Sequence, residues 1–326
     1  MKSLPVILAL ILYLLIFWLR SIQGGMDLKI DIFKQQRDAL DQKISRLLPS
    51  PQAELLSGII LGQNKNLPGH LKLALRDTST LHIVVASGQN LSMVGGLFLG
   101  LAGLIKRRNA IILSLLAVIL YTLLTGFQLP ILRAAIMFGF ASLGQLFGRE
   151  RDGTWILLVT SALMLLVNPK WLTDISFQLS VLATFGVIVV APVLLKRLAK
   201  FPVIGQDLAV SLASQAMVTP VIAQNFHQFS IVGLITNALI LWTVSFVMIG
   251  GGLMLFLAIF SNLLAVVVAL FVNILLTYFI YIVQYFSSLP FAWEYVGEQS
   301  WIFWLGYYLL LAGGLTGLHR KLTAGK

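Results

Sequence analysis

The chain of 326 residues has no cysteine, few charges and only four histidines. The lack of cysteine excludes a disulfide framework, a thiolate zinc site and a thiol nucleophile. His70, His82, His227 and His319 stand apart and form no HExxH or HxH pair, so no metal or other cofactor is expected. No GxxxxGKS/T stretch occurs, which excludes a P-loop motor within the chain. Charge is the largest deficit, at 11% of residues, against about 25% in an ordinary soluble domain. Apolar residues fill the space: 58% of the chain is hydrophobic, and the mean hydropathy is +0.92. The fold class implied is an all-α polytopic integral membrane protein with about ten transmembrane helices.

The first apolar run, 1–19, reads as an uncleaved signal-anchor helix, because Trp18, Leu19 and Arg20 follow it in place of a small-residue cleavage site. Residues 20–80 read as a short extracytoplasmic amphipathic segment. In it, "MDLKIDIF" alternates like a short strand. "KQQRDALDQKISRLL" gathers Leu40, Ile44, Leu47 and Leu48 on one helical side, and Pro49 and Pro51 end it. "AELLSGIILG" is a buried or interfacial helix, too short to span. Residues 81–326 form the polytopic domain, with helices predicted near 81–104, 109–126, 131–148, 154–167, 175–195, 207–225, 230–259, 263–287 and 301–319. Helix 230–259 is long, and "IGGG" at 249–252 predicts a kink or break.

The formal net charge is +11, and its placement tests the spans. Lys2, the cluster Lys106, Arg107 and Arg108, the pair Arg149 and Arg151, the cluster Lys196, Arg197 and Lys200, and the end Arg320, Lys321 and Lys326 all fall on one side. The opposite loops, 168–174, 226–229 and 288–300, contain only Lys170. The positive-inside bias makes the clustered side cytoplasmic and places both termini there, in a multi-pass protein of the cytoplasmic (inner) membrane. Topology thus accounts for much of the charge, and an anionic partner is not needed to explain it.

Polar residues inside the spans need something to face. In 81–104, Gly88, Ser92, Gly96, Gly100 and Gly103 recur at helical spacing, a stripe suited to close helix approach. His82, Ser87, Gln89 and Asn90 are less easily absorbed by packing, and "SGQN" reads as an unwound stretch lining a cavity. Gly126 and Pro130 mark a tight turn, with Arg133 one turn into the next span. Arg133 either serves function or snorkels to the outer interface. Asp174 either caps its helix or pairs with Arg133 at the same depth, and Gln178 shares its face. Ser176, Ser180 and Thr184 form an adjacent stripe, Ser211, Gln215 and Thr219 a further one, and Thr236 and Asn237 begin the next span. Several such stripes together predict a polar interior shared among helices.

Ordered motifs give a resemblance. "LPSPQAELLSGIILGQNKNLPGHL", the run "HIVVASGQN", "TGFQLPILRA" at 125–134, "NPKWLTDISFQLS" at 168–180, and Thr219, Pro220, Phe226, Ser230 and Asn237 resemble the membrane domain of the ComEC family of DNA-uptake channel proteins over roughly residues 48 to 290. The resemblance implies passage of single-stranded DNA across the cytoplasmic membrane during natural transformation. The channel-lining or substrate-contacting residues would be His82, Ser87, Gly88, Gln89, Asn90, Arg133, Asp174, Gln178, Ser180, Gln215 and Asn237. It also implies a separate DNA receptor, nuclease and motor as partners, alongside the lipid bilayer, and leaves room for a homodimer. Asn90 stands where the family has a second histidine, and Trp242 where it often has proline. Segment 20–80 is too short for the family's OB-fold domain, and no HxHxDH follows for its metallo-β-lactamase-like domain. The membrane domain alone is therefore expected, without nuclease activity.

Two other classes compete. A small-molecule or ion transporter would use Arg133 and Asp174 as a coupling pair within broken helices, but no inverted repeat is visible. An intramembrane hydrolase would need Ser87 as nucleophile and His82 as base. Five residues apart, they lie on poorly matched helix faces, and no third residue orients His82. No catalytic residue is expected.

Overall fold

The computed structural model describes residues 4–24, 31–85, 87–149, 152–198 and 205–324. The stretch "MDLKIDIF", read as a strand, lies mostly outside the described residues. The helices in chain order are α1 (Leu4–Gln23), α2 (Lys34–Leu47), α3 (Gln52–Leu61), α4 (Gly69–Asp77), α5 (Leu81–Val84), α6 (Gly88–Leu99), α7 (Arg107–Thr125) and α8 (Leu129–Leu146). They continue with α9 (Gly153–Val167), α10 (Ile175–Phe185), α11 (Ala191–Leu198), α12 (Gly205–Phe226), α13 (Gly233–Phe260), α14 (Asn262–Ser287) and α15 (Trp301–Ala324). A π-helical turn, Gly186–Val190, joins α10 to α11, so Ile175–Leu198 runs as one span. Two short strands, β1 (Gln228–Ser230) and β2 (Trp293–Tyr295), pair antiparallel and tie the α12–α13 and α14–α15 connections together. They are the exception to an otherwise all-α fold among the described residues.

Five helical segments are long and apolar enough to cross a membrane: Arg107–Thr125, Leu129–Leu146, Ile175–Leu198, Gly233–Phe260 and Asn262–Ser287. The chain is thus a helical membrane protein. The predicted helix 81–104 is not one span. It divides into α5 and α6 across residues 85–87, and a 3-10 turn, Gly100–Gly103, follows. The kink predicted at "IGGG" is absent as a break, because α13 runs unbroken for 28 residues. Those glycines serve close packing instead. A Cβ on Gly250 would lie 2.8 Å from Val272 of α14, and one on Gly251 would lie 2.5 Å from Ile60 of α3.

Helix ends follow local chemistry. Asp152 caps α9, its carboxylate accepting from the Thr154 and Trp155 amides at 2.9 and 3.3 Å. Gly126, at φ +80°, ends α7 in the left-handed conformation that glycine adopts without penalty, and Pro130 sits in the first turn of α8. Pro220 lies inside α12 and supplies no N–H to the Ala216 carbonyl four residues before it. The Tyr307 hydroxyl of α15 donates to that carbonyl at 2.9 Å, and the Tyr308 hydroxyl donates to the Met217 carbonyl at 2.9 Å. In a medium without water, such donors replace what proline removes.

The core does not stop at residue 80. Eight of the 10 residues of α3 are buried, in one cluster with α2, α4, α7, α13 and α14. As predicted, α3 is a short buried helix. It lies in the centre of the membrane domain rather than beside it.

Candidate functional site

The site forms where two interrupted elements cross. At Gly58 of α3, a Cβ would lie 2.9 Å from the Val84 carbonyl at the end of α5, so only glycine permits that approach. Ser87 then caps α6. The Ser87 hydroxyl accepts from the Asn90 amide at 3.4 Å and donates to Asn90 Oδ1 at 3.1 Å. "SGQN" therefore caps and opens α6 rather than forming an unwound stretch. Asn90 is 1% exposed. Its Nδ2 donates to the Ile59 carbonyl at 2.8 Å, and Gln128 Nε2 donates to the Gly62 carbonyl at 3.1 Å. Two side-chain amides thus satisfy carbonyls that the end of α3 leaves without helical partners. Arg37 does the same for α7, donating to the Leu124 carbonyl at 3.0 Å while paired with Asp31.

Close approach of α6 to α8 uses two glycines. A Cβ on Gly88 would meet Ala134 at 3.1 Å, and one on Gly95 would meet the Phe138 ring at 2.6 Å. Gly96, Gly100 and Gly103 face open space, so the packing stripe is Gly88 and Gly95, not the longer series predicted.

Arg133 lies beside Gly88, whose added Cβ would stand 3.8 Å from Arg133 Nη2. The residue is 5% exposed, so it does not snorkel. Nε donates to the Ser180 hydroxyl at 2.9 Å, and Nη1 donates to the Thr184 hydroxyl and, at 3.6 Å, to the Met137 sulfur. The ion pairs among the described residues are Arg37–Asp31 and Arg76–Asp77, so no carboxylate lies within ion-pair distance of Arg133. A buried cation is ordinarily paired. Here it is held by neutral hydroxyls, at the positive N-terminal end of α6.

The expected Arg133–Asp174 pair is not formed. Asp174 caps α10, accepting from the Phe177 amide at 3.1 Å. That removes the coupling pair on which the transporter reading rests. Gln178 reaches back to the Leu172 carbonyl at 2.9 Å, and His82 Nδ1 lies 2.9 Å from the Ser79 carbonyl. The Asn237 Oδ1 is buried without a hydrogen bond. No hydrogen bond joins His82, Gln89, Gln178, Gln215 or Asn237 to the Arg133 cluster. The structure brings together Ser87, Gly88, Asn90, Arg133 and Ser180, and adds Ile59, Met137 and Thr184. Among the described residues no group of three His, Cys, Asp or Glu side chains could hold a metal.

The family model for the competence proteins matches residues 59–321. ComE operon protein 3 of Bacillus subtilis (strain 168) is 31% identical over 208 residues, covering 63% of this chain and 26% of that protein. The uncharacterized protein YcaI of Escherichia coli (strain K12) is 26% identical over 151 residues, covering 44% of this chain and 20% of the relative. An uncharacterized protein of Aquifex aeolicus (strain VF5) is 28% identical over 160 residues, covering 48% and 38%. The chain therefore aligns with well under half the length of these relatives. No solved structure matches it.

Proposed function

The chain belongs to the competence protein family, and from that premise we propose that it forms a conduit for single-stranded DNA across the cytoplasmic membrane in natural transformation. The observation that carries this reading is Arg133, a buried guanidinium with hydroxyl partners and, among the described residues, no carboxylate partner. A passing phosphodiester supplies the anion that the fold omits. Charge-assisted hydrogen bonds to phosphate are roughly twice as strong as neutral ones, and the α6 N-terminus adds its partial positive charge. One such contact, rather than a lined basic groove, suits a path that must also release its cargo.

The same reading assigns the remaining tasks elsewhere. No nucleotide-binding loop occurs in these 326 residues, so the reading calls for a motor acting with the conduit, together with a DNA receptor and a nuclease for the other strand. The conduit itself performs no hydrolysis. The clusters at Lys106–Arg108 and Lys196–Arg197 face the cytoplasm.

The test is protection of labelled DNA from external nuclease in cells carrying the parent or Arg133→Ala. Loss of a desolvated charge contact worth about 3 kcal/mol predicts a fall of roughly a hundredfold, with the variant still in the membrane. Parental uptake by Arg133→Ala would sink the assigned role.

A further inference from the structure

Buried apolar residues fall into two clusters rather than one. The larger draws on α2 to α8, α13 and α14. The smaller consists of Val190, Ala191, Ala213 and Met217, with Tyr308, Leu311 and Leu315 of α15 against it. The second unit is tightly knit. A Cβ on Gly186 would lie 2.5 Å from the Ala213 carbonyl, and the two α15 tyrosines hold the carbonyls around the Pro220 interruption.

Arg133 stands between these units. Its neighbours Ile131, Ala134 and Ala135 on α8 belong to the larger cluster. Its acceptors Ser180 and Thr184 lie on α10, just before the π-helical turn that leads into the smaller one. Among the described residues, the side-chain hydrogen bonds from α8 to α10 are all made by Arg133. The side-chain hydrogen bonding across the α8–α10 seam is therefore a cation held by two neutral acceptors, which a better acceptor can displace.

We propose that Arg133 is a latch between the two units. Ser180 and Thr184 hold the guanidinium in the closed state. A strand phosphate takes it over and lets α10, with the π-helical turn that follows it, shift against α8. The latch rests on the reading of this site as a phosphate contact. Differential affinity drives it: an anion binds the freed guanidinium more strongly than it can bind the engaged one. The π-helical turn beside Thr184 is the irregular element able to absorb the movement.

The chain has no cysteine, so Met137→Cys places a unique thiol at the seam. The measurement is its labelling rate by a membrane-impermeant maleimide, in the full chain in vesicles, with denatured protein as the reactivity control. Slow labelling is expected in Met137→Cys alone. Labelling should be roughly tenfold or more faster when Ser180→Ala and Thr184→Ala are added, the factor for losing one charge-assisted hydrogen bond. Adding single-stranded oligothymidylate to Met137→Cys alone should raise its rate likewise. Equal rates with and without the two hydroxyls would overturn the latch. If the hydroxyl variants label fast while the oligonucleotide has no effect, the latch stands and the phosphate reading falls. Should the double change not accumulate in the membrane, Thr184→Val, which removes one hydroxyl at similar volume, carries the same comparison.

Discussion

Asp174 shows how one side chain decides between two accounts of the site. As a cap it needs an acceptor oxygen for the Phe177 amide; as half of an ion pair it needs its charge. Asp174→Asn keeps the acceptor and removes the charge, so uptake and thermal unfolding in detergent should stay close to the parent. Asp174→Ala should lower stability by about 1 kcal/mol. Loss of uptake in Asp174→Asn would restore a role for the charge. Arg133 was legible in the sequence because a cation on the outer half of a span opposes the charge bias. Ser180 was legible because it lies on a polar stripe. The role of Asn90 was not, since its partner is the Ile59 carbonyl, 31 residues earlier. A backbone acceptor has no signature in the residue that carries it. Met137 was hidden for the opposite reason, because a methionine in an apolar span looks like packing.

At the level of elements, hydropathy located five helices long and apolar enough to cross a membrane, where about ten spans were expected, and turn chemistry located the end of α7. Gly126 with Pro130 marks the α7–α8 turn, and the short α3 was recognised as buried. Two irregularities were misplaced. Glycines at 250–252 suggested a break in α13, but the helix stays regular and the missing side chains of Gly250 and Gly251 admit α14 and α3. The predicted helix 81–104 is instead divided between α5, which ends at Val84 where Gly58 lets α3 approach, and α6, which Ser87 caps. Pro220 is an irregularity whose compensation can be measured. Tyr307→Phe leaves the Ala216 carbonyl without its donor and should cost about 1 kcal/mol. In a Pro220→Ala background the backbone N–H returns to that carbonyl, so the same change should cost almost nothing. The double-mutant cycle in detergent unfolding then yields a coupling of about 1 kcal/mol. Equal costs in both backgrounds would mean that Tyr307 does not replace the proline's missing donor.

Across the whole molecule, charge placement gave a topology, while the division of the interior into two clusters was not legible. Periodicity tells which face of a helix is apolar, not which neighbour it meets. The polar stripe on α10 pointed to a shared interior without showing that Ser180 and Thr184 meet Arg133 of α8. Segment 20–80 was read as an extracytoplasmic amphipathic segment, and its short helix α3 shares the larger apolar cluster. A break after residue 80 would have needed a polar boundary there, and Thr78 and Thr80 are instead buried and bonded to the carbonyls of α4. The central claim is that the strand passes the α8–α10 seam at Arg133. The most direct test places a photo-crosslinking residue at Met137, with a control at the outward-facing Ile274 of α14, and irradiates cells during uptake of labelled DNA. The account predicts a covalent DNA adduct at Met137 and none at Ile274. Internalised DNA with no adduct at Met137 would contradict it.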